Sequence, residues 1–334
     1  MATVPVNVPA GQRSPLALRS RALLQRQGAL VALVLLILFG ALRYDNFLSA
    51  YNIWSVLRYN SMFGLIGLGM AFVIMTGGID LSVGSVAALA SVVSALLSPY
   101  GLFAALAGGV LVATLVGLIN GLLIARLNIL PFVVTLAMLL AARGVALLLA
   151  NNTSVGVSYD SGFTFLGEGD LIGLPIPVIV LAAAYLAGSL VLNYSRFGRH
   201  VLALGGNEEA ARLMGLPVAR IKLAVYTLSG ALAGLAGVLL AAQFGAGQPT
   251  AGLGWELSAI ASVVVGGTLL TGGMGSVGAT LVGVLLLGLI FNILNFENGR
   301  GLFSLSAYWQ SVIRGGFLLL VVILQNRLGR RSAA

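Results

Sequence analysis

Few residues in this 334-residue chain combine a reactive type with a setting that would use it. Asp80 lies in the run Thr76-Gly-Gly-Ile-Asp-Leu-Ser-Val-Gly84, between two apolar stretches where glycine lets a helix break. A charge at the centre of a bilayer costs roughly 2.5–3.5 kcal/mol on insertion scales, so it faces a cavity, a partner or water. Asp80 therefore has two readings: the polar lining of a path, or a cap on the first N–H groups of the next helix. Arg143 sits well inside another apolar stretch, where it either snorkels toward headgroups or pairs with an acid. Arg314 reads as a snorkeller. Asn60, Asn120, Asn292 and Asn295 suit contacts with solute hydroxyls, and they suit interhelical hydrogen bonds better.

The missing residue types exclude whole classes of chemistry. With no cysteine there is no disulfide framework, thiolate metal site or thiol nucleophile. His200 is the only histidine, so a multi-histidine metal site is impossible, and it stands among Arg196 and Arg199 rather than beside a serine in an apolar run. Lys222 is the only lysine and follows Ile221, not the glycine of a phosphate-binding loop. The chain therefore carries no such ATP site of its own, and no enzyme constellation or cofactor motif is present.

The elements that must hold these residues follow from composition. Hydrophobic residues make up 59% and charged residues 8%, against about 25% charged in a soluble domain. So few charges cannot cover a water-facing surface, and lipid must cover most of it. The 45 glycines, about twice the usual ~7% share, suit membrane helices that pack closely. Gly117-x-x-x-Gly121 and Gly230-x-x-x-Gly234 have the spacing for such contacts. The fold class is all-α: a polytopic integral membrane protein.

At about 20 apolar residues per span, hydropathy places ten spans near 28–42, 60–76, 83–98, 102–125, 129–150, 174–194, 223–243, 257–271, 276–295 and 308–326. Residues 1–27 read as a disordered tail, 28–326 as the membrane domain and 327–334 as a second tail. The first apolar run lacks the small-residue cleavage site of a signal peptide and reads as an uncleaved span. With the N-terminus inside, the inner segments hold Arg13, Arg19, Arg21, Arg26, Arg126, Arg196, Arg199, Arg212, Arg220, Lys222, Arg327, Arg330 and Arg331. The outer segments hold Arg43, Arg58 and Arg300 with most of the acids. That imbalance predicts both termini in the cytoplasm. The +9 net charge is then topological, and no nucleic-acid partner is needed to explain it.

Two connections are long. The outer one, 151–173, is polar and acidic. The inner one, 195–222, is the most charged stretch between spans, and Asn207 can cap a short helix beginning at Glu208 that Gly215 and Pro217 end. There is also a hint of repetition, Thr-Gly-Gly-Ile-Asp-Leu-Ser-Val-Gly at 76–84 against Thr-Gly-Gly-Met-Gly-Ser-Val-Gly at 271–278. Repeats with broken helices flank the solute path in many transporters, and here they would put Asp80 on that path.

The inner connection carries a further pattern. Asn207-Glu208-Glu209-Ala210-Ala211-Arg212, followed by Met214 and Gly215, resembles the Glu-Ala-Ala segment of ATP-binding-cassette importer permeases. Leu216-Pro217 follows at once, where the wider family places Leu-Pro further on; that departure resembles the branch of ribose and other monosaccharide permeases. Residues 76–85, 131–144 and 256–273 resemble the same branch, and the likeness runs from about Asn52 to Asn326. Within it, 256–273 and the ending Asn295-Phe296 … Tyr308-Trp309 are similar to a permease of the galactofuranose importer.

The resemblance implies a type II importer-like permease of about ten helices in a bacterial inner membrane. The Glu-Ala-Ala segment, Asn207 to Gly215, would be the coupling helix for a separate ATPase subunit. Further implied partners are a second permease, identical or paralogous, and a periplasmic sugar-binding protein. Asn60, Asp80, Asn120, Arg143 and Asn292 are the candidates for the solute pathway. The rival expectation is a self-sufficient ion-coupled transporter or channel, which the scarcity of ionisable groups inside the spans disfavours.

Overall fold

The computed structural model describes residues 15–299 and the separate positions 309, 312, 315, 316 and 319. In chain order come α1 (Pro15–Arg43), α2 (Ala50–Met75), α3 (Val83–Leu97) with a 3-10 turn at Ser98–Tyr100, α4 (Leu102–Arg126) and α5 (Pro131–Leu149). A structured connection follows, with β1 (Val155–Gly156), α6 (Phe165–Glu168), β2 (Asp170–Leu171) and β3 (Leu174–Pro175). The remainder is α7 (Ile176–Tyr194), α8 (Arg196–Gly206), α9 (Glu208–Leu213), α10 (Val218–Phe244), β4 (Ala246–Gly247), α11 (Trp255–Val265) and α12 (Val277–Gly299).

Local signals explain most boundaries. Ser49 accepts the Asn52 N–H to cap α2, prolines stand in the first turns of α5 and α7, and Gly245 ends α10 in the left-handed region. Each of the first nine expected spans overlaps a helix, and the tenth, with Arg314, Tyr308 and both C-terminal boundaries, lies outside the described residues apart from the positions given above.

Three boundaries differ from the sequence reading, the first being α2, which begins at Ala50, ten residues before the expected span. Helix α1 starts at Pro15, so 15–27, expected to be disordered, is helical. Leu16-Ala17-Leu18 and Ala22-Leu23-Leu24 are strong helix formers, and the arginines between them lower hydropathy without lowering helix propensity. The expected span 257–271 stops at Val265, where Gly266 and Gly267 (φ 89°) turn the chain. At ~1.5 Å per residue this 11-residue helix covers only about half of a ~30 Å core.

Among the described residues, seven helices are long and apolar enough to cross a bilayer. Of their most apolar windows, those of α2, α3 and α10 are 78%, 72% and 61% buried, whereas those of α4, α5 and α7 are 28% or less. The first three form the centre, and the others lie at the periphery with most of that surface exposed. Helix α10 packs on α2, α3 and α4, and α12 packs on α1, α2 and α11.

The two Gly-x-x-x-Gly runs face each other across α4 and α10. A Cβ at Gly117 would lie 2.4 Å from the Tyr226 carbonyl oxygen and 2.9 Å from the Gly230 Cα, and one at Gly230 would lie 2.5 Å from the Ala113 carbonyl oxygen. Backbones this close leave no room for a methyl group. Gly230→Ala is expected to cost about 1–3 kcal/mol through overpacking and to lower the unfolding temperature in detergent. Gly144→Ala, whose Cβ would meet nothing within 4 Å, is the control and should leave it unchanged. Equal melting of the two variants would remove the close-approach argument.

Candidate functional site

Helices α8 and α9 form a platform at one end of the bundle, where a single short amphipathic helix was expected. Ser195 starts α8 by accepting the Gly198 N–H at 3.1 Å. Val201 and Leu204 are buried against the bundle and Phe197 stacks on Phe72 at 6.4 Å, while Arg196 and Arg199 stay exposed. These apolar positions fall at i, i+4 and i+7, the helical spacing that lays one face on a surface.

Helix α9 is as the sequence predicts. Asn207 Oδ1 accepts the Ala210 N–H at 2.9 Å, and Glu208 and Glu209 occupy the first turn. At the other end Gly215 sits at φ 80°, its N–H donates to the Arg212 carbonyl and the Leu216 N–H donates to that of Ala211. These paired bonds close the helix with a glycine that tolerates the left-handed region. Ala211 is fully buried, and Leu213 and Met214 are 84% and 71% exposed. Glu208 bonds Arg212 within the helix and accepts two hydrogen bonds from the Lys222 ammonium, at 2.7 and 2.8 Å.

The break between α2 and α3 lies beside this platform. The Gly273 N–H donates to the Met75 carbonyl at 3.0 Å, and a Cβ at Gly272 would lie 2.7 Å from the Gly77 nitrogen. The two Thr-Gly-Gly turns of the sequence therefore meet. Gly205 and Gly206, at the end of α8, press on the same point: a Cβ at Gly205 would lie 1.9 Å from the Met75 carbonyl oxygen and 2.4 Å from the Gly273 nitrogen. Platform and both turns share one tightly packed knot of glycines.

Asp80 is buried inside this break. Its Oδ1 accepts the Ser82 N–H at 3.0 Å and the Ser82 hydroxyl at 2.6 Å, and its Oδ2 accepts the Ser229 hydroxyl at 2.8 Å. Asn120 Nδ2 donates to Ser82 Oγ at 3.0 Å, so Asp80 and Asn120, far apart in sequence, join one network. The Ser82 bond ties the carboxylate to the start of α3 as a cap-like turn, while the Ser229 bond reaches across to α10. Asn120 Oδ1 and the Tyr226 hydroxyl are buried nearby with no hydrogen-bond partner among the described residues. Below them opens a cleft of about 300 Å³ whose walls include Gly77, Gly78, Asn128, Glu208, Lys222 and Tyr226.

The other expected pathway residues lie elsewhere. Asn60 on α2 donates to the Val56 carbonyl and packs where Gly288 of α12 leaves space. Asn292 on α12 exchanges reciprocal amide bonds with Asn52 on α2, at 2.8 and 3.2 Å, which is interhelical packing. Among the described residues Arg143 forms no short ion pair. Its guanidinium donates to the carbonyls of Pro249 and, at 2.6 Å, Ala251, in the non-helical segment before α11, with Glu256 in electrostatic reach. That segment is further held by the Gln248 N–H on Ser91 Oγ and by the pairing of β4 with β1. Its Gly252 abuts Gly84, where a Cβ would meet the Gly84 carbonyl oxygen at 2.4 Å.

Sequence reasoning missed Tyr226 and Ser229. Lys222, Tyr226 and Ser229 recur at i, i+4 and i+7, a polar stripe along an apolar helix that the helical period would have revealed. Among the described residues no cluster of His, Cys, Asp or Glu could hold a metal ion.

Comparison with known proteins places this arrangement. The ribose import permease protein of Escherichia coli (strain K12) is 38% identical over 313 residues, 92% of this chain and 96% of that protein. That of Bacillus subtilis (strain 168) is 39% identical over 91% of this chain and 94% of its own. An L-arabinose ABC transporter permease protein of Azospirillum brasilense is 39% identical over 93% and 91%. No solved structure matches the chain. The model of one family, described as the branched-chain amino acid transport system permease component, matches residues 52–322. With that match over most of its length, the chain belongs to this family of membrane transport permeases.

Proposed function

We propose that the chain is the permease subunit of an ATP-driven importer that carries a monosaccharide of the ribose or galactofuranose type across a bacterial inner membrane. A periplasmic binding protein delivers the sugar, a separate ATPase supplies the energy, and a second permease completes the conduit. The observation that carries this reading is α9: a capped, glycine-terminated helix, held on the bundle by Ala211 and Lys222, that offers Leu213 and Met214 to an absent partner. An apolar pair this exposed on a charged face suits a protein interface. The family and the sugar-permease relatives support the same reading.

In this reading the platform and both termini are cytoplasmic. Affinity purification of the tagged chain from its native membrane tests the function: an ATPase subunit should copurify, and uptake should follow ATP rather than an ion gradient. Uptake that collapses with an ionophore, with no ATPase present, would establish the ion-coupled alternative. Topology is tested in the same cells, because the chain has no cysteine of its own. An Arg212→Cys variant should resist an impermeant thiol reagent and an Asp160→Cys variant should react; the reverse pattern would invert the orientation.

The Asp80 network is the polar group we place on the solute path, at its cytoplasmic end. Non-helical backbone at this depth must be satisfied by protein or water, and the break supplies both a carboxylate and an adjoining cleft. Asp80→Asn keeps the shape and, by turning the Ser229 hydroxyl round, most hydrogen bonds. It should fold with an unchanged unfolding temperature and reduce uptake by about tenfold, which corresponds to ~1.4 kcal/mol. Wild-type uptake would leave Asp80 only its role at the start of α3.

A further inference from the structure

The docking helix needs a connection to the membrane helices it is supposed to move, and one side-chain contact stands out. Among the described residues, the only side-chain hydrogen bonds from α9 to a membrane-spanning helix are the two between Glu208 and Lys222, the chain's single lysine. Backbone links are weak candidates for transmission, since α9 is entered through the extended Asn207 and left through the left-handed Gly215. Both are places where a chain swivels.

Lys222 stands in the first turns of α10, and the same stripe of α10 then carries Tyr226 and Ser229. Tyr226 presses on Gly78, where a Cβ would meet its hydroxyl oxygen at 2.4 Å, and Ser229 donates to Asp80. Helix α10 is thus gripped at Lys222 by α9 and, one and two turns later, grips the α2–α3 break. The cleft of about 300 Å³ lies between these contacts, walled by Glu208, Lys222, Tyr226 and Gly77–Gly78. Packed interfaces move as rigid units, and open volume between them is where such a movement is accommodated.

We propose that Lys222 is a positioning residue that transmits displacement of α9 to α10, and so to the Asp80 break, through its ion pair with Glu208. This rests on α9 being the ATPase-docking helix. The pair is the link, the α10 stripe is the lever and the cleft is the space it closes. A mere surface ion pair would be dispensable; a transmitting one is required even though it adds little to folding.

The test uses the assembled complex with its ATPase and a reporter cysteine at Thr76, which lines the cleft. In the Thr76→Cys background, labelling by a small maleimide is measured without nucleotide and after trapping with ATP and vanadate, and should differ several-fold. Lys222→Met should abolish that difference while the ATPase still copurifies and the unfolding temperature holds, and Glu208→Gln should abolish it as well. The charge exchange Glu208→Lys with Lys222→Glu should restore at least half of it. Lys222→Met with the wild-type labelling difference overturns the proposal. So does an exchange that fails to restore what the single variants lose, because Lys222 would then act through some other group. An ATPase that never copurifies with the parent protein instead removes the docking reading itself.

Discussion

Replacing Leu213 and Met214 with aspartate is expected to abolish sugar uptake while leaving the permease folded. Both side chains project from α9 into solvent, 84% and 71% exposed, so the folded chain loses almost no buried surface on their removal. In a complex they would be central apolar anchors. Truncating such an anchor costs about 2 kcal/mol or more, and adding a charge raises that, so ATPase affinity should fall by at least ~30-fold. The measurement is ATPase copurification and uptake beside the unfolding temperature in detergent. Undiminished copurification would show that α9 is only a solvated surface helix.

The choice of position matters. Ala210 and Ala211 carry the sequence likeness, yet Ala211 is fully buried and Ala210 half-buried. A bulky residue at Ala211 would overpack the bundle by about 1–3 kcal/mol and confuse misfolding with lost docking. Gly215, at φ 80°, is likewise a structural position, where any side chain is strained.

Arg143→Met should have the largest effect on the membrane domain itself. The guanidinium is the donor for two main-chain carbonyls, Pro249 and Ala251, in a segment that has left helical geometry inside a helical bundle. A buried carbonyl left without a donor costs about 1–3 kcal/mol, so two cost about 2–6 kcal/mol, a large part of a domain's stability. Arg143→Lys keeps the charge but replaces a planar fork with a compact ammonium, and should recover only part of the loss. Thermal unfolding in detergent, with thiol accessibility of an Ala251→Cys variant, checks both. An Arg143→Met protein that melts with the wild type, its Ala251→Cys still protected, would mean that these carbonyls find other donors.

How far the sequence reaches can be judged from these residues. Composition, span number and the α9 platform are local or one-dimensional properties. Hydropathy depends only on which residues are adjacent, and the Asn207 cap and Gly215 terminus act within one or two turns. The same holds for the glycine spacing of α4 and α10, which announced a close approach without naming its partner. By contrast, Arg143 could snorkel or pair with an acid on sequence grounds, because its partners are carbonyls more than a hundred residues away, and main-chain acceptors leave no trace in a sequence. Asp80 could be a cap or a path residue on sequence grounds; only folding brings Ser229 and Asn120 to it and sets both Thr-Gly-Gly turns against the end of α8. The chain by itself thus determined a polytopic helical bundle and the short capped helix α9, because those follow from solvent partitioning and short-range hydrogen bonding. Tertiary structure alone decided which polar groups satisfy one another inside the bundle, because in lipid each must find its partner across helices rather than in water.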